Sequence, residues 1–420
     1  MSHLNTWIKS ANPASNRHER RAVVASQSDS YIPPLQLLLG FLRVFWPIPR
    51  LFGWAIVTRH SDVEEVLGRP DVFKVPFGDE MARLNDGAVP GTPFILGIDD
   101  PQAHDDQLKL VMAAFPRRDV ANRIAIPARD DAMAIVAAAA PTRRIDAIHA
   151  LIIQIPINIC VQYYGVAVPD PSRFSAAAIG VSGHLFGRPP IVPKTDIDRD
   201  AAYLRRVVDA AIANATANPG GNSTVTERLA ALITSDNLTH AQVRAFLMGM
   251  IVGFVPTNTM AGGHILDMLL SRPAFLASAR SAAEAGDDDL LAHCLFEALR
   301  FSPINLGPFR LCAEDHIIAA GTRRAKRIKP GTKVLASTMS AMFDRDVVEK
   351  PFHFVPGRPA SGLMNFGFGM HWCVGAYIAQ AQLTQTLKAL LLRPNFARLR
   401  GRAGQLKRVG GFPTSMVVAI

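Results

Sequence analysis

The sequence predicts a mainly α-helical fold with a small β portion, gathered into a single domain. Two observations carry this. Helical apolar periodicity recurs from about residue 103 to residue 300 and ends in a segment, Ala241–Leu270, that is apolar nearly all round at its centre. β-Forming sequence is confined to short pieces near Trp54 and beyond Pro303, where glycine and proline punctuate the chain. With 420 residues and 49% hydrophobic content, the chain can bury a large core. No internal repeat, low-complexity tract or linker divides it, so residues 1–30 read as a polar arm and residues 31–420 as one domain.

The arm carries Lys9, Arg17, Arg20 and Arg21 but no apolar core before a small-residue cleavage site, so no secretory signal is expected. The stretch "LQLLLGFLRVFW" (Leu35–Trp46) is too short for a membrane span and contains Gln36 and Arg43. The cytoplasm is the expected location. "GWAIVTRHSDVEEVL" (Gly53–Leu67) reads as a strand followed by a helix, with Ser61 or Asp62 as its cap. Ala-rich amphipathic helices are expected over 119–140, 198–217 and 225–235, with a loop at Ala217–Thr224. Ala241–Leu270 must run through the interior, and Leu290–Pro303 is a further helix stopped by its proline. "GTKVLASTMSAM" reads as a strand and its exit. The meander "KPFHFVPGRPASG" follows, and a last helix begins just beyond Cys373.

The formal charge of +10 raises nucleic acid as a partner. The cations are scattered apart from Thr322–Lys329, and aromatics for stacking bases are few, so no nucleic acid is expected. An acidic protein partner accounts for the charge equally well. Four cysteines, at 160, 294, 312 and 373, lack CxxC spacing and fit a reducing compartment.

The chemistry concentrates in "NFGFGMHWCVG" (Asn365–Gly375), a glycine-rich loop feeding a helix N-terminus. Free backbone N–H groups and the positive end of the helix dipole favour a thiolate there, and a thiolate is what iron binds. The plainer reading is a buried, inert cysteine. Phe366, Gly367, Gly369, His371, Cys373 and Gly375 match, position for position, the haem-ligating signature of the cytochrome P450s. The chain resembles that family from Gly53 to the final helix.

The resemblance implies the family's fold and haem b (iron protoporphyrin IX) with Cys373 as axial ligand, Phe366 and Gly375 being part of the same loop. It implies a structural cluster of Glu297, Arg300 and Arg358. Arg310 and His371 match residues that reach haem propionates, and His104 matches a histidine on the helix along the haem edge. The arginine expected four residues after His104 is Leu108. Either Lys109 substitutes for it as a point charge, or one propionate is held less firmly.

Over the haem's distal face most members have an acid followed by threonine. Here Gly253 aligns, but the acid position is Val255 and the alcohol position Pro256. The proline removes one helical hydrogen bond and is expected to kink the helix. Thr257 and Asn258 then either turn toward the iron as catalytic groups or merely satisfy the backbone. Three functions remain open: a monooxygenase acting on a small or medium apolar substrate with a ferredoxin- or flavodoxin-type electron donor, a peroxide-driven or hydroperoxide-rearranging enzyme, and a non-catalytic haem sensor or carrier. Arg345 and Lys350 are the expected contacts for an acidic donor. The substrate pocket is expected to draw on Pro76–Leu96, the surroundings of His184 and Phe186, Gly253–Thr257 and Asn305–Pro308.

Overall fold

Thr239 opens the longest helix with a capping box: its hydroxyl accepts from the Gln242 amide while the Gln242 side chain accepts from the Thr239 amide. This helix and the others are described in a computed structural model covering residues 30–88, 90–187, 194–234, 237–359 and 362–420. Apart from Ser30, the polar arm lies outside the described residues.

In chain order the helices are α1 (Pro34–Phe45), α2 (His60–Gly68), α3 (Gly78–Asp86), α4 (Pro101–Ala114), α5 (Ile126–Ala139), α6 (Gln154–Ile159), α7 (Pro171–Phe186), α8 (Lys194–Ala217), α9 (Val225–Thr234), α10 (His240–Ser271), α11 (Pro273–Glu284), α12 (Asp288–Phe301), α13 (Thr338–Ala341) and α14 (Ala376–Leu391). By length and composition α10 could cross a membrane, but 78% of its apolar window is buried inside the protein. It is the interior helix that its all-round apolar sequence predicts.

The strands are β1 (Arg50–Leu51), β2 (Trp54–Val57), β3 (Phe73–Lys74), β4 (Arg144–Asp146), β5 (Phe309–Cys312), β6 (His316–Ile318), β7 (Lys326–Ile328), β8 (Lys333–Ala336), β9 (Ala397–Arg398), β10 (Lys407–Val409), β11 (Phe412–Ser415) and β12 (Val417–Ala419). The largest sheet has the order β1-β2-β8-β5-β3, with β2 and β8 parallel and β5 antiparallel to β8. Alternation along β5 turns Arg310 and Cys312 to the buried side. β6 and β7 form a separate hairpin beside this sheet.

Two details differ from the sequence reading. Neither Ser61 nor Asp62 caps α2: the helix starts at His60, directly behind the strand, and Asp62 instead receives Arg324 Nε at 3.0 Å. The helix expected over 119–140 begins as a wide π-type turn at Val120–Ala125, and Pro127 sits in the first turn of α5 without an N–H for a regular helical bond. At Pro256 the residues of α10 remain helical on both sides of the proline.

One cluster ties the meander to α12. Arg300 Nε and Nη2 donate to the two oxygens of Glu297 at 2.9 and 2.8 Å, and Arg358 Nε donates to Glu297 Oε1 at 3.2 Å. The Val355 amide adds a bond to the same oxygen, and Arg300 reaches the Met342, Pro351 and His353 carbonyls. Glu297 and Arg300 are only 2% and 0% exposed. Removing the one carboxylate strands two buried guanidinium groups. Glu297→Ala is therefore expected to destabilise the fold by about 3–5 kcal/mol, read as a lowered denaturation midpoint.

Candidate active site

Cys373 lies between a short 3-10 turn, Gly369–His371, and the first turn of α14. Its amide donates to the Phe366 carbonyl at 3.0 Å, folding the loop back on itself. Two glycines make this path possible. Gly367 and Gly369 have φ of 81° and 74°, and a Cβ on Gly369 would stand 2.5 Å from the Leu67 carbonyl oxygen at the end of α2. Phe366 packs between Phe296 and Trp372, with ring centroids 5.3 and 6.3 Å away. The Gly375 amide bonds to the thiol. Burial nevertheless pushes the Cys373 pKa up to about 11, so the helix end alone does not make a thiolate. The anion needs a cation beside it.

The accessible surface of Cys373 opens into a cavity of about 560 Å³. α10 supplies one wall through Met250, Gly253, Thr257 and Asn258, and the Asn365–Gly375 loop supplies the facing one. Phe77, Met81, Phe94, Phe186 and Phe246 make the lining mostly apolar, and Asn305–Pro308 completes it. The segments expected to contribute are thus all present, although His184 itself is not in the lining. It stands 2.6 Å from Glu80 Oε1 on α3, and Arg83 binds both Glu80 and Asp198 on α8. The Arg83 bond, helped by His184, holds the Glu80 carboxyl down to about 2.

At one edge of the cavity, three basic side chains converge. Arg310 is buried and donates from Nη1 to the neighbouring Phe309 carbonyl. Burial pulls it down to about 10, which leaves it charged at neutral pH. His371 and His104 meet edge to face with centroids 5.1 Å apart, and burial lowers both, His104 to about 4. Neither ring nitrogen of His371 has a hydrogen-bond partner, and Asp99 Oδ1 is 3.8 Å away, too far for one.

Lys109 does not join them. It is 60% exposed on the outer face of α4 and pairs with Asp105 at 2.6 Å. A lysine one position beyond Leu108 is rotated about 100° around the helix, away from the inward row that begins at His104.

On the opposite wall, Gly253, Thr257 and Asn258 all line the cavity, but Val255 and Pro256 do not. Gly253 leaves open space where a side chain would stand. Thr257 Oγ1 donates to the Gly253 carbonyl, and Asn258 Nδ2 donates to the Phe254 carbonyl at 2.7 Å. Neither satisfies the Val252 carbonyl that Pro256 deprives of its usual bond. Asn258 Oδ1 is buried without a partner. Among the described residues no Asp or Glu lines the cavity.

The family model described as Cytochrome P450 matches residues 286–405. Nocardicin C N-oxygenase of Nocardia uniformis subsp. tsuyamanensis is 27% identical over 349 residues, covering 80% of this chain and 81% of its own. Erythromycin C-12 hydroxylase of Saccharopolyspora erythraea is 26% identical over 380 residues, covering 86% and 87%. The chain belongs to the cytochrome P450 family.

The structure of a cytochrome P450 of Chondromyces apiculatus, CYP109Q5, shares the fold, with a TM-score of 0.74 at 22% identity over 92% of this chain and 95% of that one. Such a cytochrome P450 is an oxidoreductase that carries haem. The cavity residues suit that group: a thiol opens onto an apolar slot, while buried Arg310 and the partnerless His371 nitrogens offer donors for carboxylates at its edge.

Sequence reading missed the role of Asp99, the carboxylate that lies 3.8 Å from His371, which also accepts from the Val75 amide at 2.9 Å. Its position two residues before Pro101, ahead of α4, was the available signal. Arg345 and Lys350 line a surface hollow with Phe352 and His353. On the cysteine side, Arg117 stacks over Tyr377 at 4.0 Å, and Tyr377 packs against Trp372.

Gly369→Ala tests the loop geometry. The left-handed backbone alone costs about 1–2 kcal/mol with a side chain, and the Leu67 carbonyl must also move. The expected result is a lowered melting temperature together with reduced haem content after purification.

Proposed function

We propose that this cytochrome P450 is a haem-thiolate monooxygenase that inserts oxygen into a small or medium apolar substrate, in the cytoplasm, with electrons from a ferredoxin- or flavodoxin-type donor. In this reading residues 31–420 work as one unit, and Cys373 would hold the iron of haem b through its sulfur. The observation that carries it is the convergence on one apolar cavity of the Cys373 thiol, the basic edge and the Thr257–Asn258 wall. Relatives named as an N-oxygenase and a C-12 hydroxylase support oxygen insertion.

Haem supplies dioxygen reduction and O–O cleavage, which a thiolate ligand favours. The chain's own residues orient and protect. Arg310 and His371 hold the carboxylates of the group, with His104 beside them; Phe366 and Gly375 shape the pocket around the sulfur. Gly253 leaves room on the opposite side. The phenylalanines that line the cavity exclude water, which strengthens every polar interaction inside it. Asn258 Oδ1 and the Thr257 hydroxyl hold water for proton delivery, in the place of the acid that the lining lacks. Arg345 and Lys350, with Arg117 beside Tyr377, steer an acidic donor.

A second reading, peroxide-driven chemistry, is favoured by one observation: with no carboxylate in the cavity lining, an oxidant that arrives already reduced needs no acid relay. The deciding measurement compares product formed with hydrogen peroxide alone against NAD(P)H with a ferredoxin and its reductase. Tight coupling of electrons to product is expected. Turnover with peroxide alone would reverse the order of the two readings.

Cys373→Ala is expected to abolish the strongly red-shifted Soret band of the reduced, carbon monoxide-treated protein, and a histidine-type spectrum in the unaltered protein would refute the ligation. Asn258→Leu is expected to lower coupled turnover about 10²-fold or more while the carbon monoxide spectrum is kept. Val255→Asp, by contrast, should not raise coupling, because residue 255 is outside the cavity lining. Arg117→Glu should slow electron transfer from an acidic donor and flatten its salt dependence, since exposed charges are screened over about 8–10 Å.

A further inference from the structure

α1 is built inside out. Its polar residues face the protein: Gln36 Nε2 donates to the Met339 carbonyl at 2.8 Å, and Arg43 Nη1 donates to the Ser340 carbonyl, to Ser340 Oγ and to Gln36 Oε1. Leu39 is buried beside them, but most of the helix's other apolar residues face outward. Leu37, Leu38, Phe41, Val44 and Phe45 form one stripe, continued by Trp46, each at least half exposed, with Phe45 at 72%. Rolling the helix to hide this stripe would leave two buried polar side chains without partners, so the orientation is fixed.

The chain then runs through Pro47–Pro49 into the β1–β2 hairpin, whose two-residue turn is Phe52–Gly53. Both turn residues have positive φ, 50° and 75°, a backbone that asparagine or glycine takes far more readily than phenylalanine. Phe52 is 91% exposed and Leu51 is also exposed. A strained, bare aromatic at a hairpin tip has no folding role.

Beside this apolar surface lies a basic one. The eighteen residues His316–Lys333 contain Arg323, Arg324, Lys326, Arg327, Lys329 and Lys333, and no acid. Arg50 donates to the Arg327 carbonyl at 2.6 Å, and the Lys333 amide donates to the Gly53 carbonyl at 2.9 Å, which fixes the basic hairpin against the turn. Arg324 and Arg327 pair with Asp62 and Asp315. The other four have no carboxylate partner among the described residues. This is the charge run that the catalytic reading left unused.

We infer that α1, the Phe52 turn and the basic β6–β7 hairpin form a docking face for an anionic phospholipid bilayer surface. Apolar side chains enter the headgroup boundary while the flanking cations meet lipid phosphates, as in helices that lie in a membrane interface without crossing it. The charge decides between occupants. A second copy of the chain would bring like-charged hairpins together. Residues 1–29 carry Lys9, Arg17, Arg20 and Arg21 against Glu19 and Asp29, a net positive charge that does not complement the basic hairpin.

The test is flotation of the purified full-length haem protein with vesicles of phosphatidylcholine alone or of phosphatidylcholine with phosphatidylglycerol. Binding to the anionic vesicles, falling as salt rises, is expected. Phe41→Asp and Phe52→Asp should each weaken it about tenfold or more. Lys326→Glu with Lys329→Glu should remove the preference for anionic lipid, and all these variants should keep the carbon monoxide spectrum of the parent. Failure of the full-length protein to float with anionic vesicles at low salt would overturn the inference, as would a self-associated form in sedimentation that Phe41→Asp dissolves. Equal binding to both vesicle types would overturn it as well.

Discussion

One buried carboxylate organises the lower half of the molecule. Glu297 accepts from Arg300, Arg358 and the Val355 amide, so a helix, a meander and an irregular loop share a single negative charge. A pair of this kind gains little net stability over a well-packed apolar equivalent, because desolvation offsets the attraction. Its value lies in directionality. The guanidinium groups reach the Met342, Pro351 and His353 carbonyls from Arg300, and those of Glu349, Lys350 and His353 from Arg358. These are backbone groups of a segment with almost no regular structure, whose polar atoms would otherwise be buried without partners. The meander can therefore lie in the interior and deliver the Cys373 loop to a fixed position against α10 and α12.

The cavity is the second level of the same construction. It is walled by a helix that could not be exposed and by a loop that could not fold without glycine, and its basic side chains gather at one edge. The basic edge comes from three distant parts of the sequence, α4, β5 and the cysteine loop. Strand alternation brings in Arg310, helix periodicity brings in His104, and the loop path brings in His371. Asp99 is the carboxylate near them, and it spends part of its capacity on the Val75 amide. An arginine with so little opposing charge, in a space of low polarity, attracts an anion more strongly than the same group would in water.

What the sequence made legible followed physical range. The cysteine loop is local: its glycines, its thiol and the following helix lie within about a dozen residues, and their backbone requirements can be read without knowing the fold. The interior course of α10 was equally plain, since no solvent-facing stripe exists in its central turns. The Glu297–Arg300 pair follows from a spacing of three. What escaped depends on which way a helix faces. Lys109 was a candidate by proximity in sequence to Leu108, but one step around a helix moved it to solvent. Val255 and Pro256 drew attention as departures from a pattern, yet Thr257 and Asn258 are the residues on the cavity face. The same dependence on rotation holds in α1, where Gln36 and Arg43 set the inward side. Ser61 and Asp62 are not caps because the helix already begins at His60, with Arg59 at the cap position.

The makeup of the cavity lining has a consequence for control. Apart from the cysteine and the basic edge, its polar groups are amides, hydroxyls and carbonyls, and none gains or loses a proton between mild acid and mild base. The α10 wall is thus a set of fixed dipoles with no proton inventory. Acidity or alkalinity of the surroundings cannot switch that wall, and within the cavity lining a change of protonation is confined to Cys373 and the basic edge.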